Sequence, residues 1–206
     1  MSNLWIFGDS YSTDFDMKHV HQNHIDYMQL MNVNMMSYWP TLLADKLNYN
    51  LKNCAKGGNS NYQIFFDFCE KINLINDGDV ILIGWALLGK FIIADNNQFN
   101  NIHPFGQHHY TSISNDCLQE LIKNREQNIW EKEVKNWEKL IEIISNYKSC
   151  KIIFWSGEEN KLKNKKIDVT YCETMTNETI GAIQDSHLGI SGHERLAEIF
   201  YKELSI

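Results

Sequence analysis

Four short β-type runs punctuate the chain: Leu4–Phe7, Tyr49–Cys54, Val80–Ile83 and Ile152–Trp155. The third and fourth lie in the stretches DVILIG and CKIIFW, with no polar residue alternating through them. Runs of that kind suit strands covered on both faces, as in a parallel sheet. Between them the apolar spacing lengthens to the helical period. Residues 60–74 set Ile64, Phe65, Phe68 and Ile72 on one stripe. Residues 129–147 do the same with Trp130, Val134, Trp137, Ile141, Ile144 and Tyr147. A last helix is predicted from Ser191, with Glu194 three residues on as a capping box, and runs through Leu196, Ala197, Phe200 and Leu204. Strands alternating with helices at this spacing predict a three-layer α/β/α sandwich.

With 2 prolines and few glycine or serine tracts, the chain offers no convincing linker, and residues 1–206 read as a single domain. Two intervals, 13–40 and 85–128, are too long for simple crossovers and rich in Met, His, Asn and aromatic residues. At the carboxyl edge of a sheet such excursions serve as lids, as pocket walls or as surface elaboration. Composition leaves this picture unchanged, since 43% hydrophobic and 22% charged residues are ordinary globular values. Charge does alter it. With 19 basic against 26 acidic residues the net charge is −7, which argues against a nucleic-acid partner. The basic run Lys161–Lys166 reads as a solvated loop.

The chemistry is concentrated where the first apolar run stops, at Gly8-Asp9-Ser10. In an α/β sheet ligands bind beyond the carboxyl ends of the strands, so Ser10 is placed where a nucleophile would stand. A serine needs a base for its proton and donors for the oxyanion. The stretch QDSHLGISGHERLAEIF supplies Asp185 and His187 just before the last helix, and NCAKGGNSN supplies Gly57 and Gly58 after the second strand. Glycine allows its backbone N–H to approach a ligand closely.

GDS after an N-terminal strand, the glycine of NCAKGG, and His187 followed by Gly192-His193 at the last helix resemble the GDSL, or SGNH, hydrolases. The motifs occur in that family's order from residue 5 to residue 200. The resemblance implies a mainly parallel, flavodoxin-like sheet and a serine esterase or acyl hydrolase acting on a small O-acyl ester, such as a carbohydrate O-acetyl group. Ser10 would be the nucleophile, with its own N–H as one oxyanion donor, and Gly58 would give a second N–H. His187 would be the general base and Asp185 its orienting acid. Such chemistry calls for no cofactor.

The chain departs from the family pattern in two places. Gly84-Trp85-Ala86-Leu87 stands where the family has Gly-x-Asn-Asp, so Ala86 fills the slot of a side-chain oxyanion donor. Asn59 or Asn61, beside Gly58, would be the replacement amide, and Trp85 the preferred pocket wall. The acid also lies two residues before His187, with Gln184 in the usual slot. These departures keep a second reading open: a binding or structural module with a weak or inactive site on the same fold. No metal is predicted, because His19, His21, His24 and His103, His108, His109 lack a carboxylate-plus-histidine pattern on a helix. His193 reads as a capping or packing residue, and Asp9 as a turn-holder. The 5 cysteines include no C-x-x-C pair, no signal peptide precedes the first strand, and no apolar stretch reaches the length of a membrane span. A cytoplasmic location is the expectation; oligomeric state is left open.

Overall fold

The computed structural model describes residues 2–13, 38–86, 91–95, 98–102, 120, 127–156, 165–166 and 190–205. Strand β1 (Asn3–Phe7) is followed by α1 (Trp39–Leu47), β2 (Asn50–Asn53), α2 (Asn61–Lys71) and a 3-10 turn (Ile72–Leu74). Next come β3 (Val80–Trp85), β4 (Phe91–Asp95), β5 (Gln98–Ile102), α3 (Gln127–Tyr147), β6 (Lys151–Ser156), β7 (Lys165–Lys166) and α4 (Ile190–Leu204). The main sheet has the order β2-β1-β3-β6-β7 with every pair parallel. Counted along the chain within that sheet, the order is 2-1-3-4-5, the flavodoxin-like one.

The unbroken apolar strands are explained by the two layers that cover them. Side chains alternate across a strand, so β1 sends Leu4 and Ile6 to one face and Trp5 and Phe7 to the other. β3 splits in the same way, Val80 and Leu82 against Ile81, Ile83 and Trp85. Helices α1 and α4 close the first face with Trp39, Leu43, Leu196, Ala197 and Phe200. Helices α2 and α3 close the second with Ile64, Phe68, Val134 and Ile141. A one-residue slip in register would exchange the two faces of a strand, and both are tightly filled.

Three elements differ from the sequence expectation. Helix α1 was not anticipated, although Pro40 in its first turn was a usable start signal. It ends at Asn48, which adopts the left-handed conformation, φ 54°. Helix α4 begins at Ile190, which puts Ser191 inside the first turn and not at the cap. Within the interval 85–128, β4 and β5 form an antiparallel hairpin, Phe91 opposite Ile102 and Asp95 opposite Gln98. No described helix is long and apolar enough to cross a membrane.

At the amino edge of the sheet one carboxylate gathers the strands. Asp79, 2% exposed, accepts from the Asn3 backbone N–H at 2.9 Å, the Asn76 N–H at 3.0 Å and the Trp5 indole N–H at 2.8 Å. The Asn3 amide adds contacts of 3.1 Å to both oxygens. Burial pushes the Asp79 carboxyl up, but these hydrogen bonds outweigh it and hold it below its ordinary value. A lowered carboxyl stabilises the fold fully above the unfolded-state pKa of about 3.9 and loses that contribution as pH falls through the folded value. Asp79→Ala should therefore cost about 2–4 kcal/mol at neutral pH, with the deficit shrinking below about pH 3.9. Urea unfolding of both proteins across that range measures it, and a deficit independent of pH would contradict the assignment.

Candidate active site

The turn after β1 is built from its own polar groups. Asp9, 3% exposed, accepts the Tyr11 N–H on Oδ1 at 3.1 Å, and its carbonyl accepts the Ser12 N–H at 2.9 Å and the Thr13 hydroxyl at 2.9 Å. Asp9 thus holds the turn, as expected from the sequence. Ser10 sits on that turn, half-buried, at the carboxyl edge of the sheet.

Two glycines are required here for room. Ser12, 1% exposed, lies across the backbone of β1 and β3. A Cβ on Gly8 would stand 2.5 Å from Ser12 Oγ, and one on Gly84 would stand 2.8 Å from Ser12 Oγ and 2.8 Å from the Trp155 indole nitrogen. The glycine of GDS therefore admits Ser12 at least as much as it shapes the chain.

The turn after β2 is laced to the first. The Cys54 N–H donates to the Ile6 carbonyl at 2.8 Å and the Lys56 N–H to the Gly8 carbonyl at 3.1 Å, so the parallel ladder runs past the strand ends. Asn53 adds its amide N–H to the Ser12 carbonyl at 2.9 Å. The Asn59 N–H closes a turn on the Lys56 carbonyl at 3.2 Å, with Gly58 at φ +81° in its third position. That position of a type II turn demands positive φ, which explains glycine. The Gly58 N–H donates to no described residue.

The amides beside Gly58 face inward. Asn59, 3% exposed, spends both amide hydrogens, on the Gly8 carbonyl at 3.3 Å and on Asp67 Oδ2 at 3.2 Å. Asn61 clasps the backbone of Ala86: its Oδ1 accepts the Ala86 N–H at 2.7 Å and its Nδ2 donates to the Ala86 carbonyl at 3.0 Å. The end of β3 is thereby tied to the start of α2. Trp85, the expected pocket wall, has its ring in the core. It is 3% exposed on the α2–α3 face of the sheet, stacked on Phe154 at 6.2 Å, with its indole N–H donating to buried Glu138 at 2.9 Å. Strand alternation from Ile83 carries its ring into the core.

The first turn of α4 reaches the same edge. His193, 6% exposed, accepts the Trp39 backbone N–H on Nδ1 at 3.3 Å, which caps α1. A backbone N–H can only donate, so Nδ1 carries no proton. Trp39 in turn donates its indole N–H to the Tyr11 carbonyl at 2.7 Å, one residue past Ser10. The sequence expectation of a capping role holds, although the helix capped is α1.

Asp185 and His187 lie outside the described residues, as do His19, His21, His24, His103, His108 and His109. Among the described residues no cluster of three His, Cys, Asp or Glu side chains is placed to hold a metal. On the turn after β2, burial raises the Cys54 thiol above its ordinary value, so less of it is ionised. Sequence reasoning missed Asp67, which resembles any acid on an amphipathic helix until its partners are seen.

No protein-family model matches the sequence, and no curated protein does. Solved structures do match in fold. A carbohydrate esterase, described as one whose active site displays divergent catalytic and non-catalytic binding functions, superposes with TM-score 0.55 at 9% identity over 99% of this chain and 68% of its own. The psychrotrophic esterase EstA from Pseudoalteromonas sp., determined inhibited by monoethylphosphonate, gives TM-score 0.51 at 10% identity over 100% of this chain and 97% of its own. The chain shares its fold with these two esterases.

The packing of Ser12 generates a test. Gly8→Ala should force Ser12 out of its niche and destabilise the protein by about 1–3 kcal/mol, because the space is already filled. Gly8→Ala combined with Ser12→Gly should recover part of that loss, because the Ser12 Cβ also lies 2.8 Å from the added methyl group. Thermal unfolding of the two variants decides it, and no recovery in the double variant would show that Ser12 is not the obstacle.

Proposed function

We propose that the protein is a serine esterase of SGNH type that cleaves a small O-acyl ester. Ser10 is the nucleophile, His187 the general base and Asp185 the acid that orients it. The observation that carries this reading is the pairing of two turns at one sheet edge. Ser10 is half-buried on the first, and Gly58, with an N–H donating to no described residue, lies on the second. The Gly8 carbonyl holds the two together.

In the proposed reaction Ser10 Oγ attacks the acyl carbon as His187 takes the hydroxyl proton. The N–H groups of Ser10 and Gly58 receive the oxyanion, and the proton on His187 passes to the departing alcohol. Water then attacks the acyl-enzyme by the same route in reverse, releasing the acid and freeing Ser10. Two features support His187 in this role. Helix α4 starts three residues after it, and the first turn of that helix is tied through Trp39 to Tyr11, beside Ser10. The carbohydrate-esterase likeness favours an O-acyl group on a sugar as substrate, and the phosphonate-inhibited likeness favours an acyl-transfer serine.

One observation favours a second reading, a binding module. Ala86, at the end of β3, presents only a methyl group, and Asn61 has its amide committed to the Ala86 backbone. Losing one oxyanion donor typically lowers turnover about 10²–10³-fold. The enzyme reading therefore predicts a slow catalyst.

Hydrolysis of p-nitrophenyl acetate provides the test. The parent protein should turn it over at a rate that rises with pH through a histidine-like titration, as His187 becomes a neutral base. Ser10→Ala should lower the rate at least about 10³-fold, and Asp185→Asn about 10³–10⁴-fold, while Gln184→Ala changes little. Equal turnover by the parent and Ser10→Ala would exclude Ser10 as nucleophile, and no turnover of any acyl ester by the well-folded parent would favour the binding module.

A further inference from the structure

Asp67 is a carboxylate that the proposed reaction does not use, on the buried side of α2. It is 4% exposed, among Ile64 and Phe68, where an apolar residue would ordinarily stand. A buried carboxylate is costly unless its hydrogen-bonding capacity is filled. Its partners are specific. Oδ1 accepts the Gln63 side-chain amide at 2.9 Å and the Lys56 ammonium at 3.2 Å, and Oδ2 accepts the Asn59 amide at 3.2 Å. Lys56 and Asn59 are the two ends of the turn that carries Gly58.

Asn59 carries the connection onward. Its other amide hydrogen donates to the Gly8 carbonyl at 3.3 Å, and the Lys56 backbone N–H donates to that same carbonyl at 3.1 Å. Both acceptors facing Asn59 Nδ2 lack a proton to offer, so the orientation of the amide is fixed. Asp67 therefore grips both ends of the Gly58 turn, and through Asn59 it grips the residue that leads into Asp9 and Ser10. The ion pair contributes little to this, since Lys56 is 63% exposed and its charge is screened. The buried hydrogen bond from Asn59 and the part-buried one from Gln63 are the stronger constraint.

We infer that Asp67 is a positioning residue: through Asn59 it sets the Gly58 turn against the Ser10 turn, and so fixes the separation of the two oxyanion donors. This rests on the reading of Ser10 and Gly58 given above. A misplacement of about 1 Å in such a pair is enough to cost about 10²-fold in rate. Substrate binding away from the reacting carbonyl should be spared.

The test compares the parent with Asp67→Asn, Asn59→Ala and the double variant. Turnover of p-nitrophenyl acetate and backbone hydrogen exchange at Lys56, Asn59 and Ser12 are the readouts. Each single variant should lower kcat about 10–10²-fold with KM within about twofold, and exchange at those three amides should quicken while the centre of β3 stays protected. The double variant should be no slower than the worse single one, because both act along one path. Parental kcat in Asn59→Ala, or losses that multiply in the double variant, would overturn the inference. If the parent itself turns over no ester, the catalytic reading fails separately, and unchanged exchange at Ser12 in the variants then overturns the positioning role as well. Should Asp67→Asn not fold, Asn59→Ala leaves the carboxylate in place and carries the same two readouts.

Discussion

The Gly8 carbonyl is the junction on which the candidate site depends. It lies just beyond the last residue of β1, where a parallel ladder would normally end and the chains would part. Two donors from the turn after β2 converge on it, the Lys56 backbone N–H and the Asn59 amide. A buried carbonyl left without partners would be unfavourable, so the two turns are held together by ordinary backbone requirements before any chemistry is considered. Ser10 is two residues further along one turn, and Gly58 immediately precedes Asn59 in the other.

That junction is reliable because the sheet beneath it cannot slide. Each central strand has both faces filled, by α1 and α4 on one side and α2 and α3 on the other. Asp79 fastens the opposite edge, joining the start of β1 to the approach to β3. Trp39 ties a third element to the site by donating to Tyr11 with its indole and to His193 with its backbone. The same ring packs edge-on against Trp155 at 5.7 Å and tilted on Phe200 at 4.8 Å, so the link is also part of the core. The first turn of α4 is thus fixed relative to Ser10 by a rigid aromatic side chain.

Much of this was legible in the sequence, for reasons that differ from element to element. The strands of DVILIG and CKIIFW announced themselves because burial on both faces leaves no polar alternation. The turns that carry Ser10 and Gly58 were legible because each apolar run stops abruptly at small residues that favour turns. Helix α1 was missed because its apolar face is short, Leu43 and Ala44 behind Trp39 and Pro40, and it follows an interval with weak periodicity. Trp85 was expected at the edge from its position beside Ala86, whereas alternation along β3 directs its ring into the core. Asn59 and Asn61 were read as replacement oxyanion amides, but their amides are taken by Gly8, Asp67 and Ala86, tertiary partners that no local pattern reveals. Asp67 was invisible for the same reason.

The central claim is that Ser10 is a nucleophile held at the junction of these turns. Mass spectrometry of the protein after incubation with a fluorophosphonate tests it most directly, since covalent capture requires an activated hydroxyl and not a particular substrate. The account predicts one adduct per chain, carried by the peptide containing Ser10 and lost in Ser10→Ala. An adduct on another residue, or none at high probe concentration with the fold intact, would contradict it.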